Sequence, residues 1–245
     1  MKKIIIPIGL AIVLIAGLMM TLSRGSAESP TFMREVLPKQ DGFASVGNGT
    51  TGGAHATEQN VFKVTNKKEF VAALKDRKNT APKIVLVYGT IDFDTDDTGK
   101  PLTMKEYMAD GYDFQQYLET HKPQSTAPKS LKDEQEEKRK ASQKNQSQSI
   151  TVHVPANTSI IGMDNAKLKG VDLVLDADNI IIRNVQFESP YDYFPAWDPK
   201  DGPEGNWNSQ YDSLSIKGGT HIWIDHCSFQ DAPETVETYF GRKYE

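Results

Sequence analysis

Among the side chains that could do chemistry, Asp212 has the most informative setting. It stands in "QYDSLSI", where a short alternating strand begins, so its carboxylate can project from a rigid edge into a groove. A carboxylate placed this way suits a cation. It does not complete a calcium site, because Ca2+ takes about six to eight oxygens. Other candidates are weaker. Asp92, Asp94, Asp96 and Asp97 begin like an EF-hand loop, yet Asp97 occupies the position that needs Gly and Thr103 the one that needs Glu, which favours a solvated turn. His221 and His226 are five residues apart, on opposite faces of an extended strand, and joint ligation of a metal is disfavoured. Glu234 and Glu237 could form a carboxylate pair of the glycosidase kind, although nothing in the sequence sets their separation. The Gly-rich loop 47–53 has neither phosphate-binding spacing, and tight turns explain it more simply. No H-E-x-x-H, G-x-S-x-G or Cys/His cluster occurs.

The elements that must carry these residues begin after an export signal. Lys2 and Lys3 precede an apolar run from Ile4 to Leu22, and Gly25 and Ala27 stand where a signal peptidase reads, so residues 1–27 are expected to be a signal peptide. The run is long enough to span a bilayer, which keeps an uncleaved anchor as the alternative. Loss of Lys2, Lys3 and Arg24 takes the formal charge from −5 to −8. An acidic exported chain is a poor nucleic-acid binder, since that affinity comes mainly from cations neutralising phosphates. The single Cys227 excludes an intramolecular disulfide and suits a core or semi-core position.

Residues 28–40 lack periodicity and read as a flexible leader. From residue 41 to 245 one domain is expected. "NVFKV" is an alternating strand, and "NKKEFVAALKDR" a helix with Asn66 as cap, Glu69 in capping-box position and Phe70, Ala73 and Leu74 as apolar stripe. "KIVLVYGTIDF" follows as a buried strand. Residues 101–149 read as a surface excursion. There Glu134 with Lys138 and Glu136 with Lys140 support a solvated helix, and mixed charge signs argue against a membrane or nucleic-acid arm.

After Ile150 the chain becomes a succession of short strands. Ile180 to Ile222, Ile182 to Ile224, Asn184 to His226 and Phe187 to Phe229 are each 42 residues apart, and Ile160 to Ile182 is 22, about half of that. Such self-similarity predicts stacked coils of roughly 20 or more residues, with residue 182 two turns from residue 224. Alternation places Ile180, Ile182 and Asn184 on one face, with Ile222, Ile224 and His226. Stacking of the Asn184 amide on its equivalent would satisfy it indoors, a structural role.

These residues together resemble a known family. "DGFASVGNGTTGG", "PKIVLVYGTID", "VPANTSIIG", "NIIIRNVQFESPYDYFPAWDP", "GNWNSQYDSLSIKGGTHIWIDHCSF" and "YFGRKYE" are similar to the secreted pectate lyases of polysaccharide lyase family 1, of the Bacillus type, from about Asp41 to Glu245. The resemblance implies an all-β fold, a right-handed parallel β-helix with an N-terminal capping helix and a helical surface insertion. It implies Ca2+-dependent β-elimination of α-1,4-polygalacturonate, in which the metal neutralises the uronate carboxylate and acidifies the C5 proton. It further implies that Asp212 is a calcium ligand, which favours pectate over the methylated substrate of pectin lyases.

The family continues with a D-G-x-x-D segment, a substrate-binding Lys and an R-x-P-x-x-R segment, and the sequence to Glu245 has none of them; Arg183 and Arg242 do not match the catalytic Arg. The expectation is a β-helix incomplete at the C-terminus, monomeric, with no stable membrane association once the signal is cleaved, and inactive or nearly so alone. A non-catalytic carbohydrate-binding or surface solenoid, and a pectin lyase, are the alternatives.

Overall fold

A computed structural model describes residues 31–122, 124–203 and 205–231. In chain order the strands and helices are β1 (Val61–Val64), α1 (Lys67–Leu74), β2 (Lys83–Asp92), α2 (Met104–Tyr107), α3 (Phe114–His121), α4 (Lys129–Ile150), β3 (Thr151–His153), β4 (Thr158–Lys169), β5 (Asp172–Leu175), β6 (Ile180–Arg183), β7 (Gln186–Glu188), β8 (Ala196–Asp198), β9 (Asn206–Asn208), β10 (Leu214–Ile216), β11 (Ile222–Asp225) and β12 (Ser228–Gln230).

These strands wind a parallel β-helix. The large sheet runs β1-β2-β4-β6-β11, with β7 and β12 continuing it from the second half of β4, and a small sheet runs β10-β5-β3; every pairing in both is parallel. Ile182 lies opposite both Ile160 and Ile224, and Phe187 opposite Phe229. The repeats in the sequence are therefore real register partners. Their count is different from the expectation: β6 and β11 are hydrogen-bonded neighbours, so 42 residues make one turn, not two. The surplus is an excursion between β7 and β10 that contains the antiparallel pair β8 and β9. The step from Val85 to Ile160 is longer still, because residues 93–150 leave the coil before the chain returns.

Burial explains the stacking. Val85, Val87, Ile160, Leu168, Leu173, Leu175, Ile180, Ile182 and Phe187 fill the coil interior, and Ile222, Ile224 and Cys227 pack against them from the last coil. Each such aliphatic contributes roughly 1.5–3 kcal/mol of transfer free energy when fully buried. The outer face of the large sheet carries a second apolar layer of Ile84, Leu86, Ile161 and Ile181 under Met33 and Ala56. Residues 31–37, within the expected leader of residues 28–40, form this cover. Met33 and Leu37 are buried, Arg34 donates to the Ala54 and Ala56 carbonyls at 2.8 and 2.7 Å, and Glu35 pairs with Arg183.

The corners differ from simple alternation. Asn184 and His226 do not point inward with the isoleucines. Both are exposed and adopt left-handed backbone, φ 56° and 50°, at the bend after β6 and β11. A period of two cannot continue through a left-handed residue, and Asn is among the few side chains that tolerate one. The Asn184 amide donates to the Gly162 carbonyl at 2.8 Å, and a Cβ on Gly162 would sit 1.9 Å from the Asn184 carbonyl oxygen, so only glycine fits there. The amide ladder sits instead at the start of the strands. Asn157 and Asn179 are left-handed as well, Asn179 Nδ2 donates to Asn157 Oδ1 at 2.8 Å, and Asn179 Oδ1 accepts from the amides of Thr51 and Gly52 at 2.7 and 2.8 Å. The Gly-rich loop is thereby held on the coil by backbone contacts, as tight turns require.

Helix α1 follows its sequence. Asn66 accepts from the Glu69 amide at 3.0 Å, Phe70, Ala73 and Leu74 are buried, and the Glu69 carboxylate returns to the Thr65 amide at 2.8 Å. Helix α4, expected as a solvated rod, buries a stripe of polar residues: Gln135, Arg139, Ser142 and Gln146, ending in Ile150. That stripe packs the first excursion on the second, across a cluster of Tyr107, Tyr112, Tyr117 and Phe194.

Candidate functional site

The residues on either side of Asp212 are pinned, and its own side chain is exposed. Buried Asp192 accepts from the Phe194 amide at 2.8 Å and the Gln210 amide at 3.0 Å, which clamps the second excursion shut at its base. Burial raises the Asp192 pKa, and those two amides oppose the shift. Tyr211 donates its hydroxyl to the Gln143 carbonyl of α4 at 3.0 Å, and Ser213 pairs with Ser189 at 2.9 Å. Between them the Asp212 side chain is exposed, its Oδ2 accepting from the Ser215 hydroxyl at 3.2 Å. This is the rigid edge that the sequence predicts for it.

Asp212 opens onto the outer face of the small sheet. Val152, Leu173, Leu175 and Leu214 face the interior, so the residues between them face outward. Register then makes rows across the three strands: Thr151 beside Asp172, and His153 beside Val174 beside Ser215. Asp172 is 6 % exposed and accepts from the Thr151 hydroxyl at 3.0 Å. Burial raises its pKa; the Thr151 hydroxyl and the charge of Lys217 oppose the rise, and the Asp212 charge adds to it. Beyond this row, Asp176 receives Arg77 Nη2 at 2.8 and 2.7 Å on its two oxygens, and His153 Nδ1 lies 2.9 Å from its Oδ2. Sequence reasoning missed Asp172, His153 and Asp176. The signal was present: Leu173 and Leu214 are register partners, 41 residues apart, and the same offset sets Asp172 beside Ser213 and Asp176 beside Lys217.

The other candidates do not gather into a centre. Asp96 is the hub of a turn, its Oδ1 accepting from Thr98 and Lys100 amides, while Asp92 pairs with Lys169 at 3.0 Å. Asp94 is largely buried beneath Tyr107. Burial and the neighbouring Asp92 raise its pKa to about 6, against the pull of Lys169 and Lys67. His221 reaches the Val46 carbonyl at 3.0 Å and His226 pairs with Asp225, at opposite ends of β11. Arg183 is spent on Glu35 and Asp225, with its guanidinium 4.7 Å over the Trp223 ring. Glu234, Glu237 and Arg242 lie outside the described residues. Cys227 is half-buried against the coil interior.

Among the described residues there is no group of three or more His, Cys, Asp or Glu side chains able to hold a metal ion. They fit a calcium ion in part: Asp212 offers one exposed, oriented carboxylate, whereas Asp172 stands behind it buried and hydrogen-bonded. The remaining oxygens of about six to eight would have to come from elsewhere.

Comparison with known proteins agrees with the coil. The pectate lyase family matches residues 9–105 and 125–240. The pectate lyase of Bacillus subtilis strain 168 is 44 % identical over 238 residues, 96 % of this chain and 57 % of that protein. Pectate lyase A of Dickeya chrysanthemi is 33 % identical over 204 residues, 81 % of this chain and 40 % of its own length. A mutant Bacillus subtilis pectate lyase superposes with a TM-score of 0.80 at 45 % identity, covering 87 % of this chain and 54 % of that one. A pectate lyase bound to a hexasaccharide gives a TM-score of 0.78 at 45 % identity, with the same coverage. The chain spans about half the length of the relatives it matches. With both its coils and its loops matched across most of its residues, the chain belongs to the pectate lyase family.

Proposed function

We propose that this chain is exported and serves the calcium-dependent cleavage of α-1,4-polygalacturonate by β-elimination, with Asp212 as a calcium ligand. The observation that carries the reading is the position of that carboxylate: exposed at the head of β10, held by a Ser215 hydroxyl, between neighbours that are pinned to the second excursion and to α4. A solved relative at 45 % identity is described as bound to a hexasaccharide, which supports an extended saccharide as ligand.

Calcium, when bound, would neutralise a uronate carboxylate and acidify the C5 proton beside it. In the reaction a base takes the C5 proton, the C5–H electron pair becomes the C4–C5 double bond, and the glycosidic O4 leaves with the C4–O4 pair and is protonated; no described residue of this chain is assigned as that base. The part of this chain is to bind and orient. Asp212 supplies a fixed negative ligand, Ser215 directs one of its oxygens, and the clamp at Asp192 prevents the segment from swinging. Arg183, tied to two carboxylates, takes no part in moving the proton. A charged ligand of this kind favours de-esterified pectate over methylated pectin. Export rests on the N-terminal signal features, with cleavage after Ala27, and the mature protein acts as a monomer. Among the described residues no helix is long and apolar enough to cross a membrane.

The test is release of unsaturated oligogalacturonides from polygalacturonate, followed by ultraviolet absorbance with and without Ca2+. Calcium-dependent product that disappears in Asp212→Ala supports the reading and overturns the expectation that the chain is inactive or nearly so alone. A second reading, a carbohydrate-binding solenoid without catalysis, is favoured because no group of three or more His, Cys, Asp or Glu side chains able to hold a metal ion gathers among the described residues. Polygalacturonate binding with no product would select it.

A further inference from the structure

Beyond Asp212, the outer face of the small sheet carries a second polar group that neither the core nor the coil needs. Asp176 lies at the centre. Arg77, from the loop after α1, gives Nη2 to both of its oxygens, and His153, on β3, holds Nδ1 2.9 Å from one of them. Lys217 lies beside it, because its amide donates to the Leu175 carbonyl at 2.8 Å. Two side chains from separate segments, Arg77 and His153, thus converge on one carboxylate, with the Lys217 backbone alongside.

Stability does not account for this convergence. The Arg77 side chain is 49 % exposed and that of His153 38 %. Ion pairs this open to water contribute little, roughly 0–1 kcal/mol. What the arrangement does achieve is orientation. Asp176 engages one guanidinium nitrogen, Nη2, and one ring nitrogen, Nδ1, so the remaining donors of Arg77 and His153 Nε2 are not used by it. Arg77 sets a cation at this end of a face that also carries the carboxylates of Asp172, Asp176 and Asp212. A net acidic protein that takes a polyanion needs such a local cation.

The group is aligned with the site already described. His153, Val174 and Ser215 form one row across β3, β5 and β10, and Ser215 donates to Asp212. With strands about 4.8 Å apart, His153 stands about 10 Å from Ser215 on the same face. Between them the floor is closed: Val174 and Ser215 are 2 % and 8 % exposed. Polar side chains therefore stand at both ends of the row, and the residues between them are closed to solvent.

We propose that Arg77 and His153, held by Asp176, form a second subsite for a uronate carboxylate of the same polysaccharide strand whose other carboxylate lies at Asp212. The inference rests on the polygalacturonate reading and adds to it the residues that grip a neighbouring stretch of substrate.

The experiment measures the Kd of hexagalacturonate and of a fully methyl-esterified hexamer for the full chain and for the double variant Arg77→Gln/His153→Gln, by calorimetry with and without Ca2+. Calcium affinity without sugar is measured in parallel, and thermal melting checks that the variant folds. The expected result is about a tenfold weaker Kd for the acidic hexamer, the size of one lost charge-assisted pair, with calcium affinity and the methyl-ester Kd unchanged. Arg77→Lys should fall between the unaltered chain and the double variant, since it keeps the cation but not the guanidinium fork. Equal acidic-hexamer affinity in chain and double variant would overturn the subsite and leave the lyase reading standing. If the unaltered chain binds no acidic hexamer with or without Ca2+, both fall.

Discussion

The coil interior and the interface between the two excursions are both well buried, yet they are built on opposite principles. Inside the coil, Ile160, Ile182 and Ile224 stack rung upon rung, and nearly every group is aliphatic. Between the excursions, Arg139 is 3 % exposed and satisfied on all sides: Nε and Nη2 on Glu136 at 2.9 Å, and Nη1 on the Phe194 carbonyl at 2.7 Å. Gln146 donates to the Tyr191 carbonyl at 2.6 Å and accepts from the Tyr193 amide at 3.2 Å. The coil is held by area removed from water, which is non-directional. The excursions are held by directional bonds, which are individually expensive to break and can set a loop at one angle. Asp212 sits where the two meet, so its position depends on both.

Four substitutions separate these contributions, from the largest effect to the smallest. Ile182→Ala removes a fully buried side chain flanked by isoleucines on both neighbouring rungs, and should cost about 4 kcal/mol in denaturant unfolding. A cost near zero would mean that the coil is not stacked as described. Arg139→Met keeps volume but strands Glu136 and the Phe194 carbonyl, with an expected loss of about 3 kcal/mol. Pairing it with Glu136→Gln should recover part of that loss, whereas strict additivity would deny that the interface is a connected polar network.

Asp94, at the root of the first excursion, works in the opposite direction. Its folded pKa of about 6 lies above the usual aspartate value, so the folded protein holds the proton more tightly than the unfolded chain. Its stabilising contribution is full below about pH 4 and is lost as the pH rises through about 6. Asp94→Asn should therefore raise stability at pH 8 by about 2 kcal/mol and by much less at pH 4, read from melting curves at both values. A variant whose advantage does not grow with pH would place the carboxylate in water. Asp212→Ala completes the series. As an exposed group it should change stability by under about 0.5 kcal/mol while weakening calcium-dependent polygalacturonate binding, a split that a structural role would not give.

Legibility in the sequence followed the same division. The coil could be read because aliphatic residues on a period of two, repeated at 22 and 42 residues, leave a signal in residue type alone. The number of turns could not, since an excursion lengthens a coil without altering its register. The corners were misread because left-handed residues interrupt alternation, and only backbone geometry reveals where. Helix α4 was read as solvated because its buried stripe consists of Gln, Arg and Ser, types that normally face water and became interior here only through partners on a distant loop.

By itself the sequence determined the strand repeats, the capped helix α1, the lone half-buried cysteine, the family resemblance and the carboxylate at the head of β10, because each is written in local chemistry or in a regular spacing. Only the tertiary structure decided that residues 182 and 224 are adjacent rungs, that residues 31–37 cover the sheet, and that Arg77, His153 and Asp176 meet on the face that Asp212 borders. Those outcomes depend on which segments the winding brings together, and contacts between residues 23 and 99 positions apart leave no trace in the chemistry of either one alone.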